Sequence, residues 1–325
     1  MNKQETKKLE QKICSKIEKQ NPEKKPLILG LSGGADSVFL FYMLIISDQH
    51  FICAHLNHNL RGDESTDDQD FCTKLCKSHK IKFELLSEDI KKIARKKKIG
   101  LEEAGRIERY KFFGTLQKKY KAKYILTAHH ADDNAETIIK NLSRGASLSG
   151  LSGIKEVQTD IFRPILDVSK NEITEYLKAK KIDFRTDKSN LDTRYQRNFI
   201  RHEIMPLMET LNPSFSSTLA KNTKNLKEIE SFLIEEAQKY LKENLKSKNK
   251  GTDTLNKKSF KSLHVALKKE IIKSLLGQTD TENVYIEEIL TLIEKNIGNK
   301  SKTQNGKKFT LKNGEIVITK IKKTK

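Results

Sequence analysis

Residues 27–46 constrain the fold of this chain more than any other stretch. An apolar run at 27–31 has the length of a short buried strand, and the turn at 32–34 (Ser-Gly-Gly) is one that only small residues can make. A second apolar run, 38–46, has the length of a helix. A strand, a glycine loop and a helix N-terminus in this order can cradle phosphate, because backbone N–H groups and the positive end of the helix dipole face the anion.

The loop also carries side chains that suit a nucleotide phosphate. Ser32, Ser37 and the loop amides can donate hydrogen bonds to phosphate oxygens. Asp36 repels a bare phosphate, so its position at the start of the helix predicts a bridging cation, most simply Mg²⁺. Two other nucleotide loops are excluded: the lysine of the Gly-x-x-x-x-Gly-Lys-Ser/Thr loop is missing, and the Gly-x-Gly-x-x-Gly spacing is not matched.

Strand and helix patterns alternate through the first 142 residues. Strands are predicted at 27–31, 51–58, 81–86 and 124–128, and helices between and after them at 38–46, 66–79, 88–98, 101–119 and 132–142. This alternation predicts an α/β fold with a parallel sheet and helices on both faces. Ligands in such sheets bind at the carboxyl ends of the strands. The three richest motifs, 32–37, 55–61 and 129–136, are all expected at those ends.

A boundary is expected at Asn212-Pro213, which divides the chain into domains 1–212 and 213–325. The second domain is predicted to be smaller and mostly helical, with helices at 226–241, 258–276 and 282–296 and a polar linker at 246–253. It is expected to end in a β-hairpin that turns at Asn313-Gly314.

The formal net charge of +20 points to a polyanionic partner such as nucleic acid, although a lysine-rich background that keeps the protein soluble is the plainer alternative. All ten arginines lie between residues 61 and 201, while residues 211–325 carry 24 lysines and no arginine. We therefore expect the arginines to mark sites that need a planar, bidentate donor, and the lysine-rich domain to contact an RNA backbone.

The segment 128–137 follows the fourth predicted strand and contains two histidines and three acids. Joint metal ligation by His129 and His130 is not expected, since adjacent side chains of an extended segment point in opposite directions. Asp133 and Glu136 lie three residues apart and share a helix face. Beside a phosphate loop they favour a site for Mg²⁺ or for a cationic substrate; simple capping of the helix is the alternative.

Two arginine-bearing runs complete the candidate site. Gly105 lies within a predicted helix, where glycine is unfavourable, so some group is expected to approach it closely, and Arg106 and Arg109 share a face of that helix. Arg194, Arg197 and Arg201 form a predicted helical stripe that suits phosphate, either of RNA or of ATP. Ordinary surface ion pairs are the alternative for both runs.

Neither cysteines nor apolar runs indicate export or a membrane. Cys14, Cys53, Cys72 and Cys76 lack metal-ligand spacing and are expected to be reduced and mostly buried, as in a cytoplasmic protein. The first residues show no apolar signal region, and the longest apolar run, 38–46, is too short to span a bilayer.

Taken together, these runs resemble the tRNA(Ile)-lysidine synthetase family, a branch of the PP-loop ATP pyrophosphatases with a Rossmann-like sheet. The resemblance is carried in order by residues 32–37, 55–61, 103–110, 128–137, 141–153, 163–164 and 187–213, and it is looser beyond them. The chain resembles the shorter forms of the family. Its length bears on how tRNA is held more than on the chemistry.

The resemblance implies a two-step ligation. The C2 oxygen of the wobble cytidine (position 34) of a tRNA(Ile) with a CAU anticodon is adenylated by ATP with release of pyrophosphate. The ε-amine of free L-lysine then displaces AMP and forms lysidine. The resemblance leaves open whether the protein is a monomer or a homodimer, and which acid contacts the lysine amine.

The resemblance also implies roles for single residues. Asp36 would hold Mg²⁺, and backbone near Ala54 and His55 would cup the adenine. Asp133 and Glu136 would bind the lysine ammonium or the metal, while Arg109 and Arg201 would stabilise the transferring phosphate. The remaining expected contacts are with the ATP phosphates (Ser32, Gly33, Gly34, Ala35, Asp36 and Ser37) and with tRNA (Arg194 and Arg197).

Other functions stay open. A PP-loop tRNA thiolase is the main alternative, although such enzymes pass sulfur through cysteine pairs or a cluster, and this chain has no Cys-x-x-Cys. Amidating relatives work with a glutaminase and are not notably basic. A non-catalytic RNA-binding protein with a vestigial loop is disfavoured by the intact acids at 36, 133 and 136.

Overall fold

The structure, a computed structural model, describes residues 1–59, 63–186, 196–247, 251–277, 283–295 and 301–321, with the backbone alone for residues 63–65 and 283. It divides into two compact units, one formed by residues 1–137 with 154–220 and the other by residues 138–153 with 221–325. The division into 1–212 and 213–325 stays a prediction. None of the described helices is both long and apolar enough to cross a lipid bilayer.

The described residues form helices and strands in the alternating order that the sequence predicts. The helices are α1 (Lys3–Gln20), α2 (Ala35–Ile46), α3 (Asp63–Ser78), α4 (Ile90–Lys97), α5 (Leu101–Tyr120), α6 (Ala131–Leu142), α7 (Leu148–Leu151), α8 (Lys170–Ala179), α9 (Gln196–Phe199), a π-helix (Ile200–Ile204), α10 (Met205–Leu211), α11 (Phe215–Asn244), α12 (Lys257–Lys261), α13 (Val265–Leu276) and α14 (Asn283–Glu294). The strands are β1 (Leu27–Gly30), β2 (Phe51–Asn57), β3 (Lys82–Ser87), β4 (Tyr124–Leu126), β5 (Val157–Gln158), β6 (Ile161–Phe162), β7 (Lys246–Ser247), β8 (Thr252–Asn256), β9 (Ser301–Gln304), β10 (Lys307–Lys312) and β11 (Glu315–Lys320).

The first unit is built on a six-stranded sheet in the order β3-β2-β1-β4-β6-β5. All neighbouring strands pair in parallel except β5, which pairs antiparallel with β6 at the edge. The central strands β1 and β2 are nearly continuous apolar runs, and β2 is buried along its whole length. Such runs are typical of parallel strands that are covered on both faces.

Alternate residues of β1 separate two cores. Leu27 and Leu29 belong to the larger core, which contains side chains of α1, α2 and α8. Ile28 points to the opposite face and belongs to a smaller core with Phe113 and Leu116 of α5. The period of two along the strand thus produces the three-layer arrangement that the sequence pattern predicts. This confirms the α/β class and the parallel sheet.

The sheet brings three motifs to one edge. The glycine loop follows β1, His58 follows β2, and the segment 127–130 follows β4. Because β1 lies between β2 and β4 and all three run in parallel, the carboxyl ends of these strands are neighbours. The candidate site therefore lies where the alternating pattern predicts it.

The second unit has a larger sheet than the sequence indicated. Its five strands are antiparallel in the order β7-β8-β11-β10-β9. The predicted hairpin is present: β10 and β11 join at Asn313 and Gly314, both with positive φ (48° and 73°), as a type I′ turn requires. The core of this unit includes Phe309 and Ile318 of the hairpin and Ala237 of α11.

One expectation for the second unit was wrong. The polar linker expected at 246–253 contains β7 and the start of β8, with residues 248–250 outside the described part of the chain. Backbone hydrogen bonds pair β7 with β8 and β8 with β11, and polar sequences make such bonds as well as apolar ones. The helix predicted at 226–241 lies within α11, where Ala237 is fully buried and Ile229 is 52% exposed.

Candidate functional site

The loop between β1 and α2 has a backbone conformation that requires glycine and suits a phosphate cradle. Gly33 adopts a φ of +87°, and a β-carbon at this position would lie 3.3 Å from Cys72 Sγ. Its carbonyl oxygen accepts a hydrogen bond from Arg185 N (2.9 Å), which holds the loop from outside. Gly34 is the N-cap of α2, and no side chain caps this helix end. The backbone N–H groups of the first turn therefore face outward and are not bound by a capping side chain.

Ser32 and Ser37 brace this loop. The Ser37 hydroxyl donates to the carbonyl oxygen of Gly34 (3.0 Å) and accepts from Ser32 N (3.2 Å). The two hydroxyl oxygens are 3.1 Å apart. The loop conformation is therefore held by its own serines. Their donation to phosphate oxygens, like that of the amides of residues 33–37, stays a prediction.

Asp36 lies at the junction of the loop with the rest of the site. Its carboxylate accepts a hydrogen bond from Lys170 Nζ (2.6 Å) and lies 3.7 Å from His130 Nε2. The side chain is 27% exposed, so a ligand can reach it. Among the described residues, no group of three or more His, Cys, Asp or Glu side chains could hold a metal ion by itself.

His130 links Asp36 to the acids of α6. Its Nδ1 lies 3.2 Å from Asp132 and its Nε2 3.4 Å from Asp133, and the residue is almost fully buried. Burial alone would lower the pKa of this imidazole, but Asp133, Asp132 and Asp36 outweigh burial and raise the pKa. The surrounding carboxylates thus favour the protonated form of the ring.

His129 makes different contacts from its neighbour, as the extended backbone predicts. Its Nδ1 lies 2.9 Å from Thr127 Oγ1. Burial lowers the pKa of His129 to about 4, only partly opposed by Asp133, so the ring is neutral at physiological pH. The two adjacent imidazoles thus have pKa values shifted in opposite directions, that of His129 down and that of His130 up.

Asp133 and Glu136 are joined on one face of α6, where two arginines hold them. Arg197 donates from Nη2 to Asp133 (2.6 Å) and from Nε to Glu136 (2.8 Å). Arg201 donates from Nε to Glu136 (2.6 Å) and from Nη2 to both acids (3.2 Å each). Burial would raise the pKa of Asp133, but His130 and Arg197 lower it to about 2. The low pKa keeps Asp133 ionised, and both carboxylates accept hydrogen bonds from guanidinium groups.

The arginine stripe is only partly within the described residues. Arg194 lies outside them. Arg197 of α9 and Arg201 of the following π-helix, Ile200–Ile204, lie four residues apart. Both guanidinium groups contact the same two carboxylates. A role for Arg197 in binding tRNA, and for Arg201 in stabilising a transferring phosphate, stays a prediction.

The close approach expected at Gly105 is present. A β-carbon there would lie 3.0 Å from His58 Cε1 and 3.2 Å from His58 Nδ1. The same imidazole contacts Arg109 Nη2 through its Nε2 (3.2 Å). The glycine in α5 thus makes room for a side chain that follows β2 and that contacts Arg109.

Ala54 and His55 lie within β2. Both are buried, and the carbonyl oxygen of Ala54 accepts from Leu31 N (3.0 Å). His55 Nδ1 lies 2.8 Å from the carbonyl oxygen of Leu31. Burial lowers the pKa of His55, so a neutral ring that donates to Leu31 is favoured. The two residues fix the strand beneath the loop, and adenine recognition by their backbone stays a prediction.

The sequence did not point to Lys170 or Ser216, which complete the charge network. Lys170 N and Ser216 Oγ both donate to Asp132 (2.7 and 2.9 Å), and Lys170 Nζ contacts Asp36. Lys170 is separated from Asp36 by 134 residues of sequence. The fold alone brings them together, because α8 packs against α2.

The sequence of this chain is similar to those of known proteins. The family model described as a PP-loop domain matches residues 4–208. Among curated relatives, the tRNA(Ile)-lysidine synthase of Porphyromonas gingivalis strain W83 is 44% identical over 207 residues, which are 63% of this chain and 46% of the relative. That of Clostridioides difficile strain 630 is 35% identical over 320 residues, 94% of this chain and 69% of the relative. The chain spans about half the length of the Porphyromonas relatives.

A solved structure has a similar fold. The U34-tRNA thiolase NcsA from Methanococcus maripaludis, which holds a [4Fe-4S] cluster, matches 67% of this chain and 79% of its own chain. The TM-score is 0.54 and the identity 18%, so the likeness concerns the fold alone. The PP-loop match and the similarity to the Clostridioides protein along almost the whole chain are more specific. This chain belongs to the PP-loop proteins and, within them, to the tRNA(Ile)-lysidine synthase family.

Proposed function

We propose that this protein ligates free L-lysine to C2 of the wobble cytidine, position 34, of tRNA(Ile) with a CAU anticodon, using ATP. In the first step the C2 oxygen attacks the α-phosphorus, and the bond to the β-phosphate oxygen breaks with release of pyrophosphate. In the second step the lysine ε-amine attacks C2, and the carbon–oxygen bond breaks with release of AMP. The proton of the attacking amine leaves to a nearby acceptor.

One observation carries the proposal: a glycine loop fit for phosphate and a pair of acids fit for a cationic amine meet at one sheet edge. His130 contacts Asp36 (3.7 Å) on the loop side and Asp133 (3.4 Å) on the acid side. A two-step ligation needs this arrangement, because the amine must attack C2, the carbon whose oxygen has just received the nucleotide. The relatives that match most of the chain support the same reaction class.

The nucleotide side of the reaction would rest on the loop and on Asp36. The outward amides at the N-terminus of α2 can bind phosphate oxygens, and Ser32 and Ser37 keep the loop in shape. Asp36 fits a Mg²⁺ ion held jointly with phosphates, since this ion commonly takes one or two carboxylates and completes its shell with phosphate and water. When bound, the ion would neutralise charge on the triphosphate.

The amine side would rest on Asp133 and Glu136. Both are buried, and both accept hydrogen bonds from Arg197 and Arg201. The lysine ammonium would take over these carboxylates by displacing at least one guanidinium group. A displaced Arg201 would then be able to face the transferring phosphate, and Arg109 would approach it from α5.

The tRNA side would rest on electrostatics. Residues 211–325 carry 24 lysines against 13 acids, which suits an RNA backbone, and Arg194 and Arg197 are further candidates for phosphate contacts. Single-stranded anticodon bases can be splayed out for recognition and chemistry. The proposal places the protein in the cytoplasm, in keeping with four unpaired cysteines, and includes a homodimer as one assembly to be tested by analytical ultracentrifugation.

The direct test incubates the protein with ATP, Mg²⁺, radiolabelled lysine and total tRNA. Label is expected in the RNA fraction, only with ATP present and in step with the formation of AMP and pyrophosphate. A tRNA(Ile) transcript with G in place of C34 is the matched control and should remain unlabelled. ADP and orthophosphate as products, or no label in RNA, would defeat the proposal.

A second test separates chemistry from RNA binding. Asp36→Asn should lower the rate of AMP formation at least about 100-fold, because the carboxylate that holds the cation is lost, while tRNA affinity stays within a few-fold. Asp48→Asn is the matched control, since Asp48 follows the other end of α2, pairs with Lys24 and is highly exposed. Equal losses of AMP formation and tRNA affinity would contradict the role of Asp36.

A tRNA thiolase remains the second candidate because the thiolase NcsA has a similar fold. The thiols of this chain argue against it. All four are buried, and burial raises the pKa of Cys14 to about 11 and the pKa values of Cys53 and Cys72 further above their usual range. Such thiols are poor nucleophiles and poor metal ligands. Thiolation of tRNA by the purified protein with a sulfur donor would reverse this choice.

A further inference from the structure

We propose that Lys170 binds the β- and γ-phosphates of ATP and stabilises the departing pyrophosphate. This inference rests on the proposed function and adds a residue to its nucleotide site. Residues 31–37 contain no lysine or arginine, so the loop supplies hydrogen bonds but no positive side chain. A reaction that releases pyrophosphate needs one, because negative charge grows on the leaving group as the bond to the α-phosphate breaks.

The fold supplies the ammonium from another element. Lys170 is the first residue of α8, and its Nζ lies 2.6 Å from Asp36 Oδ1. Asp36 is itself in the first turn of α2, directly after the loop. The ammonium therefore already lies beside the helix N-terminus that would face the phosphates.

The backbone of Lys170 is anchored, whereas its side chain is accessible. Lys170 N donates to Asp132 Oδ2 (2.7 Å), and Asp132 also accepts from Ser216 Oγ (2.9 Å). The preceding residue, Ser169, caps α8 in a capping box with Glu172. The side chain of Lys170 is 47% exposed. An ammonium has three donors, and the bond to Asp36 uses one of them.

The contact with Asp36 fits an exchange of partners. In the structure the ammonium neutralises the carboxylate that the proposed function assigns to Mg²⁺. When the nucleotide arrives with its cation, that carboxylate gains a new partner, and the ammonium can turn to the phosphate oxygens a short distance away. Lys170 would thus keep Asp36 neutralised before binding and neutralise the triphosphate afterwards.

The test compares ATP with AMP, since AMP lacks the phosphates that Lys170 would bind. Isothermal titration of the 325-residue chain at fixed Mg²⁺ concentration should give at least a tenfold weaker affinity for ATP in Lys170→Ala, with AMP affinity within twofold. Lys170→Arg should recover most of the ATP affinity. Lys170→Met keeps the apolar stem of the side chain and should weaken ATP binding as much as Lys170→Ala does. This variant separates the loss of the ammonium from a loss of packing that disturbs the fold.

Lys180→Ala is the matched control. Lys180 lies at the other end of α8, pairs with Glu10 (2.7 Å) and is similarly exposed, and its loss should leave both affinities unchanged. Unchanged or tighter ATP binding in Lys170→Ala would overturn the inference, and so would equal weakening of ATP and AMP. These results would leave lysidine formation by the unsubstituted protein intact. Absence of ATP binding by that protein would instead defeat the proposed function itself.

Discussion

Glu136→Gln tests whether the acid pair is held by its arginines. The carboxylate is only 2% exposed and accepts hydrogen bonds from Arg197 Nε (2.8 Å), Arg201 Nε (2.6 Å) and Arg201 Nη2 (3.2 Å). Glutamine keeps the shape but removes the negative charge, and its amide NH₂ group turns a donor towards guanidinium donors. Two cations then share the single carboxylate of Asp133.

The size of the effect follows from burial. Removing one partner of a buried ion pair costs about 3–5 kcal/mol, because the other charge is left without compensation. Arg197 and Arg201 are 39% and 31% exposed, so water can replace part of the lost interaction. We expect a loss of about 2 kcal/mol, between the values for buried and surface pairs. In a unit of this size that lowers the melting temperature by about 4–8 °C.

Thermal unfolding followed by circular dichroism at pH 7.5 measures this loss, and the absence of tryptophan makes the far-ultraviolet signal the suitable probe. Glu156→Gln is the control: Glu156 pairs with Lys16 at 3.4 Å and is 44% exposed, so its loss should cost under about 0.5 kcal/mol. The double variant with Arg201→Gln should lose less than the sum of the single variants. A Glu136→Gln protein as stable as the control would refute the argument, since the guanidinium groups would then contribute nothing to holding this carboxylate.

Three further predictions concern the loop, the helix glycine and pH. Gly33→Ala should cost about 2 kcal/mol and weaken ATP binding, since alanine disfavours a φ of +87° and its β-carbon would press on Cys72; an unchanged melting temperature and ATP affinity would contradict this. Gly114→Ala in α5 should stabilise the protein by about 1 kcal/mol, because nothing lies within 4 Å of the new β-carbon. Gly105→Ala should bring no gain in stability and should slow AMP formation, because His58 must move. Equal gains in stability from the two substitutions would exclude a tight contact with His58. The folded pKa of His129, about 4 against 6.5 in the unfolded chain, means that the unfolded state takes up the proton first as pH falls below 6.5. Stability should therefore drop by about 3 kcal/mol between pH 6.5 and 4, and His129→Gln should flatten this part of the urea-unfolding profile; an equally steep profile in the variant would assign the loss to other groups.

Local patterns predicted the local structure well. The alternation of apolar strands and helices predicted the parallel sheet, and the glycine loop was expected at the end of β1, where it lies. Gly105 indicated a close neighbour because glycine is unfavourable inside a helix, and His58 is that neighbour. Asn313-Gly314 predicted the hairpin, because both positions of a type I′ turn need positive φ.

Sequence patterns of a few residues did not predict strands whose pairing partners are distant in the sequence. Strands β7, β8 and β9 are polar and short, so they carry little alternation, and only the sheet gives their backbone groups partners. Ile229 shows the reverse case: it is apolar and lies within the predicted helix at 226–241, yet it is 52% exposed. Burial depends on what packs against a helix, which its own sequence does not state.

The sequence by itself determined which chemical groups this protein has and at which edge of the sheet they gather, because helix and strand periods are properties of neighbouring residues. The pairing of those groups was decided by the tertiary structure. The sequence offered phosphate of RNA or of ATP as the partner of Arg197 and Arg201, and in the structure both side chains contact Asp133 and Glu136. Lys170 reaches Asp36 only because α8 packs on α2. The spacing of charged residues along the sequence does not predict which of them pair, since an ion pair needs only that two groups meet in space.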